Sequence, residues 1–89
     1  MTTIRMEEMT WPEIRAAIEG GITTVVFAVG STEQHGPHLP TMTDTRIGDD
    51  LAHRVALRLG RSLQARTIPL GVSEHHLAFG GTISLKRAT

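Results

Sequence analysis

The chain has 89 residues, nine acidic and nine basic side chains, no cysteine and a formal net charge of zero. A chain this short forms at most one small domain and buries only about 60–65% of its unfolded surface, so its stability is marginal. Balanced charge without like-sign runs leaves no electrostatic footprint for nucleic acid or a membrane surface, and the missing cysteines exclude disulfides and thiolate ligands. The opening Met1-Thr2-Thr3-Ile4-Arg5-Met6-Glu7-Glu8 contains no apolar export core, and the longest apolar run, Val25 to Val29, is too short to span a bilayer. The expected setting is the cytoplasm, and the expected partners are small molecules or peptides.

In chain order, Thr10 followed three residues later by Glu13, with Pro12 in the first turn, is a capping-box signature. Trp11, Ile14 and Ile18 share one helical face, which predicts a helix from Trp11 to Glu19 ended by Gly20-Gly21. Thr23-Thr24-Val25-Val26-Phe27-Ala28-Val29 is β-branched and continuously apolar, the pattern of a parallel strand buried on both faces. Residues 30–43 have no periodicity, two prolines and two glycines, and a connection this long inside a compact domain is usually functional. Asp44 or Thr45 is expected to cap a second helix. Its Ile47, Leu51, Val55 and Leu59 recur every fourth residue as the expected core stripe, with Asp50, Arg54 and Arg58 turned away and Gly60 closing it. Residues 64–68 read as a second strand, so strand, loop, helix and strand form a right-handed crossover with parallel strands. Residues 69–81 leave at the same sheet edge, and 82–85 suit either a short strand or a helix entry. There is no internal repeat, low-complexity tract or linker. The fold class is therefore α/β. Two strands and two helices cannot cover both faces of a parallel sheet, so residues 1–89 read as the N-terminal part of a single larger domain.

The chemistry concentrates in Gly30-Ser31-Thr32-Glu33-Gln34-His35-Gly36-Pro37-His38-Leu39-Pro40 and in Thr43-Asp44-Thr45. In an extended backbone alternate side chains share one face about 6.5–7 Å apart. Glu33 and His35 can thus each address one ion of a pair roughly 3.5–4 Å apart, with Asp44 bridging both. A dinuclear site needs more protein ligands than these three. His38, held by Pro37, suits a supporting hydrogen-bond donor or a structural loop histidine equally. Glu74, His75 and His76 diverge as neighbours, so at most part of the run can face one ion; Glu74 or His75 is the candidate to touch substrate or support a ligand, with ordinary loop polarity as the alternative. His53 is expected to face solvent. No motif makes Ser31 or Ser73 a nucleophile, and the glycines suit turns rather than a phosphate loop.

These segments, together with Gly71-Val72-Ser73-Glu74-His75-His76-Leu77-Ala78-Phe79 and Gly81-Thr82-Ile83-Ser84-Leu85, resemble the creatininase (creatinine amidohydrolase) family of metal-dependent amide hydrolases, in order and over nearly the whole chain. The resemblance implies a three-layer α/β/α domain around a mainly parallel sheet, often assembled as a hexamer. It implies two divalent ions, with zinc, manganese and iron all accepting such ligands. By position, Glu33 matches the carboxylate ligand of one ion, His35 the imidazole ligand of the other, and Asp44 the bridging carboxylate. The catalyst would be a metal-activated water attacking the carbonyl carbon of a cyclic amide, formamide or peptide, so no side chain is assigned as the catalytic group. The family completes its site with a His and a Glu from a later Gly-His-Gly-Gly-Asn type segment that has no counterpart here, so these residues alone are expected to be inactive or nearly so. Where the family has Phe-Pro-Gly-Thr, this chain has Phe79-Gly80-Gly81-Thr82, a more flexible turn. The rival readings are a non-enzymatic metal-binding or interaction module left by truncation and, more remotely, a serine-type acyl hydrolase.

Overall fold

A computed structural model describes residues 3–86. Its first helix, α1 (Trp11–Glu19), begins where the sequence predicts, because the Thr10 backbone N–H and hydroxyl both donate to Glu13 Oε1, at 2.9 and 2.8 Å. It ends where Gly20 N–H returns to the Ala16 carbonyl and Gly21 turns to a φ of 101°. Its apolar face is less covered than its periodicity suggests: Ala17 is buried, whereas Trp11 is 72% and Ile18 55% exposed.

Strands β1 (Thr24–Val26) and β2 (Ser62–Gln64) pair in parallel, Val25 opposite Leu63. Beyond this ladder the strands meet again at a Val29–Ile68 bridge, the second strand having gained one residue on the way. That extra residue accounts for a regular ladder shorter than the apolar run 23–29. The regular strand expected at 64–68 lies instead at Ser62–Gln64, with only the isolated Ile68 bridge beyond it, since the polar residues that obscured its start find internal partners. Ser62 Oγ donates to the Ala56 carbonyl at 3.0 Å. On the far side of β2, Gln64 N–H donates to the Ile4 carbonyl at 2.7 Å and Arg5 bridges Gln64 in parallel, so the N-terminal segment lies alongside as a further extended piece. Two-sided burial of β1 does not hold among the described residues. Val26 and Ala28 turn toward the second helix, while Val25, Phe27 and Val29 are largely exposed.

Helix α2 (Thr43–Leu59) corrects two expectations. Met42 occupies the N-cap position, so Asp44 lies inside the first turn and neither it nor Thr45 caps the helix. The packed face is also not the large apolar stripe: Ala52 and Ala56 are buried, whereas Ile47, Leu51, Val55 and Leu59 are mostly exposed. Gly48 explains the choice. A Cβ there would meet Ala28 Cβ at 3.0 Å, so Gly48, Ala52 and Ala56, spaced by four, form a flat row that lets the helix lie close on the sheet. The helix stops at Gly60, with φ 67°.

Between α2 and β2 lies a polar rather than an oily centre. Gln64, 1% exposed, donates from Nε2 to the Asp49 carbonyl and Oδ1, both at 3.2 Å, and accepts at Oε1 from His53 Nδ1 at 2.7 Å. His53 therefore faces this network and not solvent, because the buried amide oxygen of Gln64 needs a donor. Asp49 also receives Thr67 Oγ1 at 3.0 Å and the Arg5 guanidinium at 3.1 Å. Burial opposes its charge, but the Thr67 hydroxyl and Arg5 together hold its carboxyl below the ordinary carboxylate value. With a folded-state pKa lowered in this way, the stabilisation is present above the unfolded value near about pH 4 and is lost as pH falls through the folded one. Asp49→Ala should cost about 1–3 kcal/mol at pH 7 by stranding Gln64, Thr67 and Arg5, and the difference from wild type should shrink in urea unfolding at acid pH. An equal cost at both pH values would show that the carboxylate's charge is irrelevant. Among the described residues no helix is long and apolar enough to cross a membrane.

Candidate metal centre

Beyond β1, residues 30–35 run between the start of α2 and the segment 69–83. Gly30 N–H donates to the Ile68 carbonyl at 2.7 Å, Thr32 pairs antiparallel with Ile83, and Glu33 N–H donates to the Thr41 carbonyl at 3.2 Å. Gly30 permits the approach, since a Cβ there would lie 2.6 Å from Thr45 Cα. Thr45 Oγ1 then donates to the Ser31 carbonyl at 2.8 Å, and Ser31 Oγ donates to Asp44 Oδ2 at 2.9 Å.

This framework brings Glu33, His35 and Asp44 together, one ligating atom of each within 4.8 Å of the others, all three half-buried. The hydrogen bonds fix what each offers. His35 Nδ1 faces the Glu33 backbone carbonyl at 3.2 Å, and a carbonyl only accepts, so Nδ1 carries the proton. The Nε2 of neutral His35 is then a lone pair, and it faces Asp44 Oδ1 at 3.2 Å. Two acceptors at that distance call for a proton or a cation between them. Without an ion the proton serves: the Glu33 carbonyl first, and then the Asp44 carboxylate, raise the His35 pKa above its usual 6.5 despite partial desolvation. That pairing is complete below the ordinary imidazole value and is lost as pH rises through the raised one. On the other side, the Ser31 hydroxyl, with His35 behind it, keeps the Asp44 carboxyl below its usual range. One imidazole nitrogen, oriented through its other nitrogen, and two carboxylates fit a divalent ion.

The remaining candidates separate. His38 is exposed at the tip of a loop closed by the His35–Leu39 bridge, beside Gly36, and is not grouped with the ligating atoms. Glu74 is exposed and also stands outside. Residues Glu74–His76 form a 3₁₀ turn that brings His75 and His76 to Glu33, again with one atom of each within 4.8 Å, the two rings 4.0 Å apart. His76 reaches furthest in, its Nε2 lying 3.8 Å from Glu33 Oε1 and its Nδ1 2.8 Å from Gln34 Nε2. Sequence reasoning passed over His76 and Gln34, because nothing local distinguishes His76 from its neighbours. Ser31 serves as a donor to Asp44, while Ser73 is 1% exposed with its backbone N–H bonded to Ser84 Oγ.

A family model described as creatininase, creatinine amidohydrolase, matches residues 7–89. The chain belongs to the creatininase family. It is 45% identical over 71 residues to the mycofactocin precursor peptide peptidase of Mycobacterium tuberculosis, covering 70% of this chain and 28% of that protein. Against the 3-dehydro-scyllo-inosose hydrolase of Thermotoga maritima it is 35% identical over 86 residues, 96% of this chain and 27% of the other. Among solved structures, a mutant creatininase of Zn-Zn type superposes with TM-score 0.85 at 30% identity, covering 99% of this chain and 36% of its own. A manganese creatininase gives 0.86 at 30% identity over 98% and 35%. The chain thus spans little more than a third of the length of these relatives at most.

The α/β expectation holds in this creatininase-family chain, with a parallel pair and helices in the solved fold. Its Phe79-Gly80-Gly81-Thr82 turn holds Gly81 at φ 88°, and Thr82 Oγ1 accepts from Gln34 N–H at 3.0 Å. The turn therefore still ties the 69–83 segment to the strand that carries Glu33 and His35.

Proposed function

We propose that this creatininase-family chain contributes Glu33, His35 and Asp44 to a divalent-metal centre that hydrolyses a C–N amide bond, in a peptide or a small cyclic or formyl amide. The observation that carries the reading is the His35 Nε2 lone pair held 3.2 Å from Asp44 Oδ1 with its own Nδ1 tied to the Glu33 carbonyl. The zinc and manganese forms of solved creatininases support the same class of ion here, and a pair of ions is the fuller form of the proposal. When bound, such ions supply Lewis acidity that makes water nucleophilic near neutral pH and offsets charge on a carbonyl oxygen. Of the chain's own groups, Ser31 and the Glu33 carbonyl hold Asp44 and His35 in place, and Nε2 of neutral His35 would hold an ion together with Glu33 and Asp44. The reported relatives are named as a peptidase and as a hydrolase of an inosose, so hydrolysis is what they share. A peptide is preferred as substrate on the higher identity.

Metal content after dialysis against zinc or manganese, followed by an amide hydrolysis assay of the same sample, tests this. The purified 89-residue chain should take up a divalent ion and hydrolyse little or nothing, its ligand set being short. Failure to take up any divalent ion would overturn the metal centre, and robust hydrolysis lost on chelation would overturn the expected inactivity. A second reading, an interaction module, is favoured by the exposed Ile47, Leu51, Val55 and Leu59 of α2. Its signature is a complex that covers this stripe and forms with no divalent ion present.

A further inference from the structure

The geometry points to His76 as the positioning residue for the Glu33 carboxylate, with Gln34 setting the proton on its ring; this rests on the metal-centre reading above. The directions of the hydrogen bonds that link Gly36, Gln34 and His76 follow from one backbone group. Gly36 N–H can only donate, and it donates to Gln34 Oε1 at 2.9 Å, which fixes the amide with Nε2 outward. Gln34 Nε2 can only donate, and it meets His76 Nδ1 at 2.8 Å, so Nδ1 is the acceptor. In the neutral ring the proton is therefore on Nε2, the atom that faces Glu33 Oε1.

This tautomer is the reverse of that of His35. His35 has its donor side on a carbonyl and a lone pair toward the carboxylates, as a ligand requires, whereas His76 presents an N–H. Although Glu33, His75 and His76 place ligating atoms within 4.8 Å of one another, His76 cannot offer Nε2 to an ion without giving up the Gln34 bond. Its work is to donate to Glu33. The present 3.8 Å is roughly 1 Å beyond hydrogen-bond length. Rotation about the last torsion of a glutamate is soft, so the carboxylate can close the gap at little cost. One Glu33 oxygen held by His76 would leave the other free for the position shared with His35 and Asp44. Both side chains are sheltered, 27% exposed for His76 and 15% for Glu33, so the contact is only partly screened by water.

The test combines tautomer and affinity. Long-range proton–nitrogen NMR of the imidazole rings should show His76 protonated on Nε2 and not on Nδ1 in the neutral protein. Calorimetric titration with zinc should give a weakening of about 10- to 100-fold for His76→Leu and for Gln34→Leu, the range seen when the partner of a ligand is removed. His76→Gln, which keeps an N–H near the Nε2 position, should recover most of the affinity. If His76→Leu proves unfolded by circular dichroism, Gln34→Leu and His76→Gln decide. Wild-type affinity in the leucine variants, no recovery with glutamine, or an Nε2 resonance that shifts as a direct zinc ligand would each overturn the proposal. A wild-type protein that binds no zinc would instead overturn the metal centre on which it rests.

Discussion

Asp44→Asn is expected to weaken zinc or manganese binding by at least about 100-fold, a larger effect than the about 10- to 100-fold typical of losing a ligand's partner. The substitution is nearly isosteric, so Ser31 Oγ still finds an oxygen to donate to, and the extended segment 31–35 keeps its seat on α2. What disappears is the negative charge opposite the His35 lone pair. His35 then loses the partner that makes a shared cation favourable, and the amide nitrogen is a poor ligand for a hard or borderline ion. Stability should fall little, by about 0.3–1 kcal/mol, since the lost charge sits in the first turn of a helix. Asp50→Asn is the matched control, because Asp50 is an exposed partner of Arg54 one turn and a half along the same helix. Calorimetric titration of the three proteins reads the result. If Asp44→Asn binds as tightly as the Asp50→Asn control, the proposed centre is wrong.

Gly30→Ala should have the largest effect on stability for its size. Its Cβ would lie 2.6 Å from Thr45 Cα, 2.7 Å from Thr45 Oγ1 and 3.0 Å from Thr45 N, all on the first turn of α2. Backbone cannot rotate aside as a side-chain tip can, and Gly30 is itself pinned by its bond to Ile68, so strand and helix must separate. Such overpacking costs about 1–3 kcal/mol, sometimes more, a large share of the stability of a small domain. The site should suffer with the fold, because the same displacement pulls Asp44 from Ser31 and Thr45 from the Ser31 carbonyl. Gly80→Ala provides the contrast: nothing lies within 4 Å of its added Cβ, so the change should stay within about 0.5 kcal/mol. Urea unfolding midpoints distinguish the two. Equal midpoints for Gly30→Ala and Gly80→Ala would refute the claim that this contact sets the height of α2 over the sheet.

Legibility differs from residue to residue for reasons of range. The start of α1 is readable because a capping box is a contract between residues three apart, and Thr10 and Glu13 keep it regardless of what lies beyond. The proximity of Glu33, His35 and Asp44 is readable because an extended backbone aligns alternate side chains and a single loop leads from them to the next helix. The bounds of strand β2 are not, since Ser62 looks like a surface residue until the Ala56 carbonyl accepts from it, and the buried partners of Gln64 come from α2.

By itself, the sequence determined the helix boundaries marked by Thr10, Gly20 and Gly60, the α/β class, and the family to which the Glu33–His35–Asp44 pattern belongs. These depend on neighbours in the chain, and near-neighbour geometry is dictated by backbone sterics. The tertiary structure alone decided which face of α2 packs, why His53 turns inward, and that His76 rather than Glu74 reaches Glu33. On α2 a row of Gly48, Ala52 and Ala56 competes with a row of Ile47, Leu51, Val55 and Leu59. Hydrophobic period marks the larger residues, but close approach of Gly48 to Ala28 favours the smaller ones. The ring of His76 is likewise assigned its proton by Gln34, 42 residues away in the chain, and no local pattern carries information over that distance.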